Sequence, residues 1–170
     1  LVENGSSGTS TFQNLLIQHG AFGANVSQSS ALFDHCWFID NTTTTSGAGL
    51  YVTDCHEDDD HSVTIESCRF ENNTALTGAG LYAADSTITI EDTDFEANES
   101  TASNGAGGAA YVIRSNASFA SCLFTGNQTD GKGGALFLGY DLDSQPCIVT
   151  DCDFFSNYAR AGGGAIRVYN

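Results

Sequence analysis

Positive charge is almost missing from this chain. Its 170 residues carry five Lys and Arg against 21 Asp and Glu, a formal net charge of −16. A surface of that sign is repelled by phosphate backbones and anionic headgroups, which sets nucleic acid and membrane-surface partners aside. No apolar run approaches 18 residues, so nothing reads as a membrane-inserted helix. Methionine is absent, proline occurs once, and no stretch has the period of a long amphipathic helix. The motifs of common chemistry are missing too: there is no GxSxG, HExxH or P-loop, and no GxGxxG opening a helix. The chain starts at Leu1 and stops just after a glycine-rich repeat at GGGAIRVYN. It is therefore expected to be a mature product or a fragment of a longer repeat protein, whose targeting segment lies outside it.

What the sequence does contain is repetition. FENNTALTGAGLY (70–82) has counterparts at 38–51, 95–111, 124–137 and 154–167. Each copy is Phe-x-x-Asn, a short polar run, two or three small residues and an apolar pair. The copies start at Phe38, Phe70, Phe95, Phe124 and Phe154, at intervals of 32, 25, 29 and 30 residues. A period in this range indicates a solenoid or a propeller.

Aligned on the phenylalanine, the copies show apolar residues seven and five positions earlier: Ala31/Phe33, Val63/Ile65, Ile88/Ile90, Ala117/Phe119 and Cys147/Val149. Two positions before it stand Cys36, Cys68, Thr93, Cys122 and Cys152. After the polar run comes a third alternating segment: Leu50/Val52, Leu81/Ala83, Ala110/Val112, Leu136/Leu138 and Ile166/Val168. Period-two alternation marks strands, and a slip of parity between the first two marks a corner. Three short strands per turn without helices predict an all-β, right-handed parallel β-helix of five to six turns. Asn-Gly turns do not recur once per repeat, as a propeller blade would require. Residues 1–170 form one domain in this reading, with five repeats over 30–170. A degenerate first turn over 1–29 carries Phe12, Leu15, Ile17 and Gly23-Ala24-Asn25-Val26.

In such a stack the repeated side chains form axial ladders. Phe38, Phe70, Phe95, Phe124 and Phe154 are expected to pile up ring on ring. Asn41, Asn73, Asn98, Asn127 and Asn157 are expected to bond backbone and one another at the next corner. The glycine-rich triplets allow backbone to approach where a side chain would clash.

Phe-x-x-Asn paired with Gly-Gly-Ala-(Ile/Leu) resembles the double motif of the chlamydial polymorphic outer membrane proteins. GGAL (133–136) and GGAI (163–166) match it, GGAA (107–110) comes close, and the two GAGL copies depart from it. The resemblance runs over roughly 30–170. It implies an adhesive or structural solenoid, secreted or at the cell surface.

Several features of the repeats point to function. Cys36 and Cys68 share a column one turn apart, as do Cys122 and Cys152. A rung spacing of about 4.8 Å brings their Cα atoms inside the disulfide range. Vertical staples and buried free thiols are the two readings, and Cys55 and Cys147 lack an evident partner. Asn-x-Ser/Thr occurs at Asn4, Asn25, Asn41, Asn72, Asn98, Asn116 and Asn127, which reads as a secreted glycoprotein carrying covalent glycans. Asn25, Asn72 and Asn116 are the favoured acceptors because they stand off the ladder; the other reading of Asn41, Asn98 and Asn127 is as ladder residues turned inward and closed to sugar. Tyr51, Tyr82, Tyr111 and Phe137 fill one outward slot, followed by Arg167. Such a stripe either meets extracellular carbohydrate or a neighbouring chain, or lies under a return loop.

Acidic groups offer a place for Ca²⁺, but no cofactor is required. They lie in HEDDDH (56–61) and in a corner line of Asp34, Glu66, Glu91 and Asp92, where solvated charges with mildly raised pKa values are the simpler expectation. No catalytic residue is assigned. A polysaccharide lyase or hydrolase is the enzymatic alternative, with Asp151 and Asp153 as its carboxylates, but Arg69, Arg114, Lys132, Arg160 and Arg167 do not cluster with them. The reading that follows is a non-catalytic extracellular solenoid. It would serve as a filament subunit stacked on its own copies or as the stalk of a surface adhesin. A monomeric glycan-binding adhesin is the alternative.

Overall fold

The computed structural model describes residues 2–3, 8–56, 61–140 and 147–169. Among these residues the regular elements are β-strands, joined in parallel across successive turns. No helix among them is long and apolar enough to cross a membrane.

Each turn has four faces rather than three. The first runs through Ser10–Gln13, Ala31–Asp34, Val63–Glu66, residues 87–91, Asn116–Ala120 and Ile148–Thr150. The second holds Leu16–Gln18, Trp37–Ile39, Arg69–Glu71, Asp94–Glu96, Leu123–Thr125 and Asp153–Phe155. The third consists of two-residue strands, Thr74–Ala75, Glu99–Ser100, Gln128–Thr129 and Tyr158–Ala159. The fourth comprises Val2–Glu3, Ala24–Ser27, Leu50–Cys55, residues 81–86, Ala110–Ile113, Leu136–Gly139 and Ile166–Tyr169. Six strands on each of the first two faces agree with five to six turns. The third face escapes a search for alternation because each rung turns a single side chain inward: Ala75, Ser100 or Thr129, all buried.

The corners explain the slip of parity. Asn14, His35, Ser67, Asp92, Ser121 and Asp151 join the first face to the second with φ of 46–55°. His19, Asp40, Asn72, Ala97, Gly126 and Ser156 do the same one face later, and Gln28, Asp54, Asp85 and Arg114 return the fourth face to the first. One left-handed residue turns the chain through the corner, and the next residue then points inward. The cost of positive φ is lowest for glycine, Asn and Asp, and the tightest corner uses glycine throughout. At Gly78 (φ 54°) an added Cβ would stand 2.5 Å from the Leu81 carbonyl oxygen.

The interior is filled column by column. Phe38, Phe70, Phe95, Phe124 and Phe154 form a continuous stack, with centroids 4.7–4.9 Å apart and planes within 6°. Phe12 stacks on Phe33 at 5.0 Å, while Ile17 holds the aromatic slot of the first turn opposite Phe38.

The asparagine ladder is equally regular. Each Nδ2 donates to the Oδ1 of the next Asn at 2.9–3.0 Å, from Asn41 through to Asn157. Each backbone N–H donates to that same oxygen at 3.0–3.1 Å. The second Nδ2 hydrogen reaches the carbonyl of the stacked aromatic one turn back, as from Asn98 to Phe70. Thus every donor and acceptor of an internal carboxamide is satisfied away from water. In the first turn the slot is taken by Gly20, whose N–H donates to Asn41 Oδ1.

Candidate functional site: an aromatic stripe on the fourth face

Tyr51, Tyr82, Tyr111 and Phe137 lie in register on adjacent fourth-face strands. Their neighbours in sequence turn inward, so these four turn outward. The rings stack on one another: Tyr51–Tyr82 at 4.9 Å and 4°, Tyr82–Tyr111 at 5.4 Å and 11°, Tyr111–Phe137 at 4.9 Å and 14°. The faces expected to receive sugar are therefore occupied by neighbouring rings, except the face of Tyr51 turned toward Asn25, and edges and hydroxyl groups meet solvent. The three tyrosines are half-buried, whereas Phe137 is only 8% exposed, with the Tyr169 ring tilted over it at 6.4 Å. The open stripe is thus shorter than expected by one ring.

Asn25 precedes Tyr51 in this column and Arg167 follows Phe137. Beside the stripe, Arg114 grips Asp85 with two hydrogen bonds, Nε to Oδ1 at 2.7 Å and Nη2 to Oδ2 at 2.6 Å. Sequence spacing hides this pair, because the partners stand 29 residues apart and meet only through the rung. Burial raises the Tyr82 and Tyr111 phenols above their ordinary range, and Arg114 pulls both partly back.

The sequons divide by geometry. Asn41, Asn98 and Asn127 are fully buried with their Nδ2 hydrogens spent in the ladder, so the expectation of sugar at these three is corrected. Asn25 and Asn72 are exposed and Asn116 is half-buried. Asn4 lies outside the described residues.

All six cysteines are free thiols, against the expected staples Cys36–Cys68 and Cys122–Cys152. Cys36, Cys68, Cys122 and Cys152 stand at the corners between strands, one turn apart, where stacked turns keep a spacing of about 4.8 Å. A disulfide needs about 3.5–4.5 Å between Cβ atoms. The thiols cap corners instead. Sγ of Cys36, Cys68, Cys122 and Cys152 each donates to the carbonyl two residues back, at 3.1–3.4 Å. The Cys36 and Cys122 N–H groups donate to the next sulfur. Thr93 performs the same task with its hydroxyl. Cys55 has a column after all: its N–H donates to Ser86 Oγ, and Ser86 N–H to Ser115 Oγ. Cys147 follows Ala117 on the first face, and its N–H donates to the Tyr140 hydroxyl.

Burial pushes the Cys68 thiol up to about 12 and raises those of Cys122, Cys55 and Cys147. A folded-state pKa above the unfolded value contributes stability that is complete below the unfolded pKa of about 8.5 and is lost as pH rises toward the folded one. Thermal melts are therefore expected to be flat up to about pH 8 and to fall progressively above pH 9. In Cys68→Ser, with a hydroxyl like that of Thr93, the alkaline decline becomes shallower. An identical decline in both proteins would remove the thiol from the explanation.

The remaining candidates do not converge. Asp34 is hydrogen-bonded by His35 and Gln13; the His35 bond holds its carboxyl below the usual range, the reverse of the expected rise. Among the described residues no three of His, Cys, Asp and Glu are grouped to hold a metal. Residues 57–60 of the acidic loop lie outside them. Asp151 and Asp153 are both exposed, one at a corner and the other in register with Leu123, while Arg69 is engaged by Glu71 and Glu96. A depression of about 40 Å³ lined by Glu99, Gln128, Thr129, Asp130 and Tyr158 has room for water but not for a sugar ring.

No curated protein and no solved structure matches the chain. The family described as right-handed beta helix region matches twice, over residues 2–95 and 46–170. The matches overlap by a turn and more, as a repeat that can be aligned in two frames should. Together they span nearly the whole chain, which belongs to the right-handed β-helix family.

Proposed function

We propose that this protein is an extracellular, glycosylated structural solenoid, a non-catalytic stalk that holds a surface adhesin away from the cell. The observation that carries this reading is the continuity of the ladders. Aromatic and carboxamide columns run from turn to turn without a break for a cleft, so the side-chain order of the molecule is invested in its axis. The resemblance to the chlamydial surface adhesins and the outward sequons Asn25, Asn72 and Asn116 favour a secreted setting.

Between stalk and filament, charge favours the stalk: a net charge of −16 makes copies of the chain repel one another. The glycan-binding alternative is weakened by the covered ring faces. Sedimentation of the secreted protein is expected to give one monomeric species at all concentrations. Growth into filaments as concentration rises would replace the stalk with a self-stacking subunit.

A further inference from the structure

The two ends of the aromatic stripe are finished differently. At one end Phe137 is covered by Tyr169. At the other, Tyr51 makes its ring contact with Tyr82, and the next position in the column is Asn25, an exposed residue in register with Tyr51 on the adjacent strand. Asn25 opens the sequon Asn25-Val26-Ser27, with Val26 packed inward at 1% exposure. Among the described residues no other outward sequon has a ring in its column. Asn72 stands between Asp40 and Ala97 at a corner, and Asn116 is in register with Thr87.

We propose that Asn25 carries an N-linked glycan whose first N-acetylglucosamine lies on the outer face of the Tyr51 ring, closing the stripe as Tyr169 closes it at the far end. The inference rests on the extracellular reading above. Its chemistry is that of a pyranose face lined with C–H groups, whose partial positive charge suits the negative face of an aromatic ring. The rung spacing of about 4.8 Å is the separation that stacked rings already keep in this column. A sugar on Asn25 therefore takes the place of one more ring, and its contact removes apolar surface of Tyr51 from water. The phenol edges of Tyr82 and Tyr111 stay open.

The test uses the whole chain secreted from a eukaryotic cell line, with Asn72→Gln and Asn116→Gln introduced so that sugar at Asn25 is read alone, and trimmed by endoglycosidase to a single N-acetylglucosamine. Occupancy is measured by peptide mass spectrometry on this chain and on the parent with all sequons intact. Stability is then compared in a cycle of Asn25→Gln and Tyr51→Ser. The expected result is an occupied Asn25, a Tm about 3 °C higher with the sugar than without it, and loss of that difference in Tyr51→Ser but not in Tyr51→Phe. The acetyl methyl proton signal of the sugar should also move upfield, as it does over a ring face, and return in Tyr51→Ser. An occupied Asn25 whose sugar shifts the Tm equally with and without the Tyr51 ring overturns the stacking. A bare Asn25 in a parent glycosylated at Asn72 or Asn116 overturns the inference and leaves the extracellular reading standing. A parent bare at every sequon overturns both.

Discussion

Replacing Asn98 with alanine is expected to remove about 4 kcal/mol of folding stability, a loss as large as that of a big core side chain. Asn98 is fully buried at the middle of the ladder. Its Oδ1 accepts from Asn73 N–H at 3.1 Å and from Asn73 Nδ2 at 2.9 Å, and its Nδ2 donates to Phe70 O and Asn127 Oδ1. Truncation leaves two donors of Asn73 without partners, at about 1–3 kcal/mol for each stranded group, while the Phe70 carbonyl keeps its rung bond to the paired strand. Asn127 Oδ1 keeps one bond, because the backbone N–H of residue 98 still reaches it. Since domains of this kind hold about 5–15 kcal/mol in all, Asn98→Ala would approach the threshold of folding. Urea titration checks the size of the loss. Asn98→Leu separates the two possible causes: if volume mattered, leucine would rescue, whereas the stranded donors predict that it does not. A loss under about 1 kcal/mol would show that the ladder is decorative.

Phe95→Ala is expected to cost about 3–5 kcal/mol by a different route. The ring is fully buried and lies between Phe70 and Phe124, 4.9 Å from each. Removing it opens a gap in a stack whose neighbours are pinned by the rung hydrogen bonds and cannot close over it. Here leucine should recover a large part of the loss, in contrast to position 98, because no polar group is stranded. Tyr82→Ser is the surface control. That ring is half-buried, with both faces on neighbours, and its loss should be clearly smaller than that of Phe95. Equal losses at 82 and 95 would mean that the outward stripe contributes as much as the core column.

The ladders were legible because a repeat prints its columns directly: the same residue type returns at one position of each turn, and stacking follows from geometry. The breaks in that legibility have physical causes. The third face gave no alternating signal, since two-residue strands bury one side chain each. Left-handed corners are occupied by Asn, Asp, Ser, His, Gln, Ala and Arg alike, so composition does not announce them, although they produce the parity slip that the sequence does show. The staples Cys36–Cys68 and Cys122–Cys152 are not formed in the structure: a rung spacing meets the Cα criterion for a disulfide, which is looser than the Cβ criterion. The sequons at Asn41, Asn98 and Asn127 are a by-product of a ladder asparagine followed by polar residues of the third face. Cys55 seemed partnerless only because its column is built of serines, which belong beside it by hydrogen bonding rather than by type. The Arg114–Asp85 pair and the covering of Phe137 by Tyr169 depend on register and on the closing turn, and no local pattern carries either.

The most direct test of the account is the intact mass of the protein isolated from its native source, with peptide mapping of the sequons and sedimentation on the same sample. The account predicts a mass that falls when N-glycans are removed enzymatically, sugar confined to outward asparagines with none at Asn41, Asn98 or Asn127, and no self-stacked filaments. A mass unchanged by that treatment, or sugar on a ladder asparagine of the folded protein, would contradict it.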